Sequence, residues 1–379
     1  MFVVDGLSEH YHPRPASLFQ PSRIVLAKGS NYTEARRRLA ERICAAYPEA
    51  IVVEAFSTPH NRVDLGETDP LRLHERGKKT LVLSEHLSAV RFSDEGDNAC
   101  PNYWHFSPYG FCPYGCRYCY LAGTSGVWFS PTVKIFLNLE EILAQVDRTA
   151  NQLARPKAFY LGKLQDGLAL DPLSGYARTM IPFFARHPYA HMVILTKSAD
   201  IDNLLNLDHA GRTILSWTVN APEIVRDFER NSPDVMDRIE AMRRCAQIGY
   251  PVRAVVMPII PIADWQEVYG RFMASLIASV PLSRITLGSI CSYPQAQHLM
   301  ELKLGKKNVI SSQFDRGPNK LEDGRLRFSR STRTEVYRCL IECIRRIRPD
   351  LEIGLCLEDE EMFASLGLQK SIGRCNCML

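Results

Sequence analysis

The sequence predicts an α/β protein, a partial TIM-type β/α barrel preceded by a small α/β module. Two observations point there. Short apolar runs alternate with helical segments through the second half of the chain, and several of those runs end in a polar residue or a turn. Alternation of this kind argues for parallel βα units. The C-terminal ends of barrel strands form the functional face, which is where polar residues closing apolar runs would sit. A doubly wound sheet satisfies the same alternation and stays open as the other architecture.

The elements follow in order. "RIVLA", "NYTEARRRLAERICAAY" and "AIVVEAF" read as strand, helix and strand between residues 24 and 56, by β-branched content and helical spacing. "STPHNRVDLGETDP" reads as loop and "KKTLVLSEH" as a further strand. After the cysteines, a helix starts beyond Asn138, where Glu140 and Glu141 supply acidic residues to its first turn. Another starts after Ser232, with Pro233 suited to the first helical position and Val235, Ile239, Met242 and Ala246 on one face. Between and beyond them lie "AFYLG", "MVILTK", "TILSWTVN", "RAVVMP", "RITLGS" and "EIGLCLE", closing on Lys197, Asn220, Pro258, Ser289 and Glu358. The organisation expected is an N-terminal module over 1–100, the barrel over 101–358 and a tail over 359–379.

The chain has 379 residues, 46% hydrophobic and 23% charged, enough for a sizeable core. No apolar run is long enough to span a bilayer, so no membrane partner is expected. The start, "MFVVDGLSEHYHPRP", lacks the basic and apolar regions of a secretory signal, which places the protein in the cytoplasm. A net charge of +4 is compatible with nucleic acid without predicting it. Twelve cysteines in a reducing compartment do not form a disulfide scaffold. Cys44, Cys245, Cys339 and Cys343 fall in helical patterns and read as packing residues.

The segment "GFCPYGCRYCYLAG" carries Cys112, Cys116 and Cys119 in a Cx3Cx2C array. Thiolates are soft ligands for zinc or iron–sulfur clusters. Structural zinc usually takes four protein ligands, and this loop offers three, with Gly110 and Gly115 allowing tight turns. Three cysteines on a [4Fe–4S] cluster leave one iron open to a substrate or cosubstrate. A zinc loop with a remote fourth ligand is the alternative.

Cx3Cx2C followed by β/α alternation resembles the radical S-adenosylmethionine superfamily. Within it, "CPYGCRYCYL", "VKIFLNLEEIL", "DGLALDPLSG", "ILTKS", "SWTVNAPEIVRDFE", "DRIEAMRRCAQIGYPV" and "MPIIPIADWQEVY", in that order, resemble the spore photoproduct lyase family, as do "IVVEAFSTPHNRV" and "KKTLVLSE". The match runs over roughly residues 24 to 290 and continues more weakly through "GRLRFSRSTRTEVY" to "GLCLE".

The resemblance implies a [4Fe–4S] cluster on the three cysteines, S-adenosyl-L-methionine as cosubstrate, and a 5′-deoxyadenosyl radical that reverses a thymine-derived lesion in DNA or acts on a related nucleobase. It also implies an electron donor such as flavodoxin or ferredoxin. Lys197 would contact the cosubstrate carboxylate, Thr218 and Asn220 would add contacts from a strand end, and Met257 would approach the adenine. Tyr118 and Tyr120, flanking Cys119, would relay hydrogen or line the pocket. The aromatics of "CPNYWHFSPYGFCPYGCRYCY" either stack on bases or pack around the cluster.

One departure stands out. The family places a hydrogen-donating cysteine before its "D…D" pattern, and here "FYLGKLQDGLALD" has Lys163 at that position. An amine N–H bond is too strong to replace a thiol. Cys375 and Cys377 of "SIGRCNCML" are the leading substitutes, from a mobile tail reaching into the barrel mouth, with Cys356 and Cys291 also possible. The tail is otherwise a metal-binding or an inert end. The substitution also leaves open a different substrate (a peptide, a tRNA or a small metabolite) or a non-catalytic zinc module that binds nucleic acid.

Overall fold

The computed structural model describes residues 11–93, 96, 98–315 and 323–379. The opening stretch "MFVVDGLSEH", on which the expectation about targeting leaned, lies outside the described residues. Two sheets share the chain. β1 (Arg23–Leu26), β2 (Ile51–Glu54) and β3 (Thr80–Ser84) are parallel, with β1 in the middle. The helix Glu34–Ala45 connects β1 to β2, and its first turn is capped by Thr33, whose hydroxyl accepts from the Arg36 amide at 3.2 Å. β4 (Val90–Ser93) and β5 (Tyr103–Phe106) form an antiparallel pair that begins the second sheet.

The chain then crosses back. β6 (Tyr109–Gly110) and β8 (Val133–Phe136) extend the first sheet, giving the order β2-β1-β3-β8-β6, while β7 (Gly115–Cys116) stands apart from it. The first sheet thus takes two strands from beyond residue 100, and the second takes β4 from before it.

The second sheet is completed by β9 (Lys157–Leu161), β10 (Ala190–Thr196), β11 (Thr213–Val219), β13 (Val252–Ile259), β14 (Arg284–Ser289) and β17 (Glu352–Leu355). Short strands β12 (Glu229–Arg230), β15 (Cys291–Ser292) and β16 (Leu326–Arg327) decorate its connections. From β5 to β17 seven strands lie side by side in chain order, every pair parallel. A doubly wound sheet needs a point where the strand order reverses, and this sheet has none. It is a partial TIM-type barrel, as the sequence predicts.

β17 and β4 are the sheet's two edges and do not pair. The connections beside them meet instead: the Ala99 amide donates to the Glu358 carbonyl at 2.8 Å, and the Leu357 amide to Cys100 Sγ at 3.4 Å.

Helices start near where the sequence marks them. Leu139–Leu153 begins directly after Asn138, with Ile142, Leu143, Val146 and Ala150 buried. In Val235–Gln247 the cap is Asp234, whose carboxylate accepts from the Met236 amide at 2.8 Å. Pro233 therefore precedes the cap rather than occupying the first helical position, because the aspartate satisfies the free amides better than a proline can. No helix among the described residues is long and apolar enough to cross a membrane.

Candidate active-site cavity

A cavity of about 260 Å³ opens among the C-terminal ends of the second sheet's strands. One wall is the cysteine loop, and local sequence explains its path. Phe111 turns the chain with φ 60° and its amide bonds to the Leu164 carbonyl at 3.1 Å. Lys78 donates to the carbonyls of Cys112 and, at 2.7 Å, Tyr114, with its ammonium 3.7 Å from the Phe111 ring centre. Gly115 and Cys116 then pair antiparallel with Arg230 and Glu229. A Cβ on Gly115 would lie 2.8 Å from the Arg230 carbonyl oxygen, so the ladder forms only because residue 115 lacks one. Cys112, Cys116 and Cys119 all line the cavity.

These three soft donors in one tethered loop fit an iron–sulfur cluster. Burial pushes the Cys116 thiol up to about 11 and raises Cys112 as well, so metal binding is what would keep them as thiolates.

Beside the loop lies a buried ionic group. Glu229 accepts from Arg238 Nη2 at 2.6 Å, sits 3.3 Å from Lys197 Nζ and accepts from the Tyr118 hydroxyl. Lys197 Nζ is also 3.4 Å from the Tyr118 hydroxyl. Arg238 adds a bond to the Thr218 carbonyl at 3.1 Å. Desolvation works against the Glu229 carboxylate, yet Lys197 and Arg238 outweigh it and hold the group below its ordinary range. Asp166 braces the adjacent strand end, accepting from Thr196 Oγ1 at 2.6 Å and from the Lys197 amide at 2.7 Å.

Among the residues singled out by sequence, Tyr118, Tyr120, Lys163, Lys197, Thr218 and Met257 line the cavity. Asn220 does not. It is wholly enclosed, donating to the Pro258 carbonyl at 2.7 Å and accepting from the Ala221 amide at 3.0 Å. Tyr120 donates to the Lys163 carbonyl at 3.1 Å, and Lys163 Nζ donates to Ser93 and stands 5.2 Å from the Tyr103 ring centre.

The tail is not a mobile arm at the mouth. Cys375 and Cys377 line the cavity from the opposite end of the sheet. Arg284, first residue of β14, donates to the Cys375 carbonyl at 3.0 Å and the Leu379 carbonyl at 3.1 Å. Arg253, near the start of β13, donates to the Asn376 carbonyl at 3.2 Å, and Ser216 Oγ donates to Asn376 Oδ1 at 2.8 Å. Cys377, Met378 and Leu379 pack against the inward-facing Tyr103, Tyr160 and Ile214. The tail is the cavity's floor. Cys291 and Cys356 line the same space, and so does Cys100, which the sequence reading passed over because it belongs to no spaced motif. Glu229 and Asp166 were likewise missed.

A family model described as spore photoproduct lyase matches residues 20–329. The chain belongs to the spore photoproduct lyase family. The spore photoproduct lyase of Bacillus subtilis (strain 168) is 29% identical over 228 residues, covering 59% of this chain and 65% of that protein's length. The one from Geobacillus sp. (strain Y412MC61) is 29% identical over 240 residues, covering 61% and 67% respectively. A solved spore photoproduct lyase complexed with dinucleoside spore photoproduct superposes with a TM-score of 0.76 at 22% identity, covering 90% of this chain and all of that one. A variant with bound AdoMet and dinucleoside spore photoproduct gives 0.76 at 21% identity, covering 89% and 99%. These superpositions establish the partial barrel as the family fold.

Proposed function

We propose that this member of the spore photoproduct lyase family is a cytoplasmic radical S-adenosylmethionine lyase acting on a thymine-derived DNA photolesion or a closely related nucleobase. The observation that carries the reading is that Cys112, Cys116 and Cys119 share one cavity with Lys197, Thr218 and Met257. Cluster and cosubstrate, when bound, supply a 5′-deoxyadenosyl radical, and the protein's part is to hold, orient and shield them.

Cys112, Cys116 and Cys119 would hold the cluster. Lys197, kept charged by Glu229, presents an ammonium for the cosubstrate carboxylate, and Thr218 offers a hydroxyl beside it. Met257 lies along the wall, its sulfur seated over Gly288, where a Cβ would come within 2.7 Å. Asn220 supports that wall by fixing the Pro258 carbonyl. The Tyr118 hydroxyl is committed to Glu229, which suits a positioning role. Tyr120 faces Tyr293 with ring centres 6.4 Å apart, and Arg325 lies 5.8 Å from the Tyr293 ring centre. That arrangement offers a stacking surface for a base at the mouth. Cys375 and Cys377 supply thiols where the family's donor position holds Lys163. A small electron carrier of the flavodoxin or ferredoxin class would deliver the reducing electron.

The test is anaerobic reconstitution followed by incubation with reductant, S-adenosylmethionine and a dinucleotide carrying the thymine–dihydrothymine cross-link. The expected result is 5′-deoxyadenosine together with restored thymine. Stoichiometric zinc in place of iron and sulfide would overturn the reading. Release of 5′-deoxyadenosine with no restored thymine would move it to a different substrate.

A further inference from the structure

Four cysteines outside the Cx3Cx2C loop line the cavity: Cys100, Cys291, Cys356 and Cys375, with Cys377 making a fifth beside the last. Three of them touch. The Cys375 thiol is hydrogen-bonded to the thiols of both Cys100 and Cys377. Cys100 arrives from the connection between β4 and β5, where the Leu357 amide donates to its sulfur. Cys375 and Cys377 arrive on the floor, where Arg284 donates to the carbonyls of Cys375 and Leu379 and Arg253 to that of Asn376. Gly354 in β17 lets the tail pass, since a Cβ there would lie 2.6 Å from the Arg374 carbonyl oxygen. None of the three is in a disulfide.

We propose that Cys375 is the hydrogen-atom donor of this cavity and that Cys100 is its resolving partner, so that a turnover leaves the two joined as a disulfide. The proposal rests on the radical reading above. A carbon-centred substrate radical takes the hydrogen atom of the Cys375 S–H: that bond breaks, a C–H bond forms, and the unpaired electron stays on sulfur. Cys100 releases its proton to solvent and its thiolate bonds to that sulfur, giving a disulfide radical anion. The surplus electron passes to a one-electron carrier of the flavin or iron–sulfur class. The two thiols have then lost one hydrogen atom, one proton and one electron, and a dithiol reductant restores them by exchange.

Several features serve this chemistry. A hydrogen-atom donor must carry its proton. The hydrogen bond with Cys100 draws the Cys375 thiol down, but the bond with Cys377 and burial push it up to about 12, so it stays protonated at neutral pH. Cys377, half-buried against Tyr103 and Tyr160, is the second hydrogen-bond partner of that thiol. Lys163 is no competitor: its ammonium offers only strong N–H bonds and is tied to Ser93.

Two measurements test this. In the first, purified protein is equilibrated with oxidised glutathione, digested without reduction and mapped by mass spectrometry. The expected product is a peptide pair joining Cys100 to Cys375 that disappears on adding dithiothreitol, while a Cys44→Ser control gives the same map. Absence of any bond from Cys100 to the tail would overturn the proposal. In the second, the lesion dinucleotide is turned over in heavy water. Wild type should place one solvent deuterium in the product. Cys375→Ala should lose that label while retaining its iron and releasing 5′-deoxyadenosine. Cys100→Ser should transfer one label per chain and then stall. Undiminished label from Cys375→Ala overturns the donor assignment, and zinc or a second cluster lost on replacing Cys375 would recast the thiols as a metal site. If wild type released no 5′-deoxyadenosine, the radical reading would fail, and the disulfide map would still judge the thiol pair.

Discussion

The cavity has two cysteine-bearing walls, built on opposite plans. The Cx3Cx2C loop is held through backbone ladders, with β6 on β8 and β7 on β12, and its spacing alone announces its chemistry. The tail forms no strand. It is held by two buried arginines reaching its carbonyls, and its CxC spacing announces nothing definite. Each wall depends on one glycine that admits a close backbone approach, Gly115 for the loop and Gly354 for the tail. The contrast teaches that a short ligand loop can be specified by local pattern, whereas a floor assembled from the chain's far end is specified by tertiary partners that no spacing reveals.

Single substitutions should affect the two walls separately. The largest effect is expected from Cys116→Ala: iron and sulfide should fall to background and 5′-deoxyadenosine should vanish, while amide exchange in residues 374–379 stays as in wild type. Glu229→Gln comes next. It leaves Arg238 and Lys197 short of their counter-charge in a buried site, a loss of about 3–5 kcal/mol, readable as a drop in the urea midpoint. Arg284→Met should cost about 2–3 kcal/mol through lost charged hydrogen bonds and speed exchange of the tail amides without lowering iron content. Gly115→Ala and Gly354→Ala should each cost about 1–3 kcal/mol through forced backbone shifts. The first should loosen cluster retention only, and the second tail protection only.

The smallest effect concerns the footing of the loop. Lys134 stands opposite Gly110 in the β6–β8 ladder and donates to the Ser130 and Thr132 carbonyls at 2.9 and 2.8 Å. Burial lowers its ammonium from the ordinary 10.5 to about 7. Between those values the unfolded chain binds the proton and the folded chain does not, so stability rises with pH. Relative to Lys134→Met, wild type should therefore gain stability from pH 7 towards pH 10 and show a flat difference below pH 6. Denaturation at a series of pH values checks this.

Much of the barrel was legible in sequence because parallel strands buried on both faces read as continuous apolar runs, and "MVILTK", "TILSWTVN" and "RAVVMP" all became strands. Which sheet a run joins was not legible: "VKIF" is as apolar as its neighbours, and only pairing with β3 assigns it to the first sheet. Arg238 did leave a trace. It falls on the stripe of Val235, Ile239 and Met242, a charge on an apolar face, and that mismatch signals a buried partner such as Glu229. Cys100 left none, since a single cysteine between "DNA" and "PNYW" is indistinguishable from a packing residue until the fold brings the tail against it.

The unpaired edges β4 and β17 have a mechanical consequence. A closed barrel fixes its circumference through an unbroken ring of ladders, but here, among the described residues, the gap is closed by the backbone bond from Ala99 to Glu358, by the contact at Cys100 and by the tail, which Arg253 and Arg284 hold on one side and which packs against Tyr103 on the other. Along that seam the wall is held by single contacts and packing rather than by a strand ladder, so its closure depends on the far end of the chain.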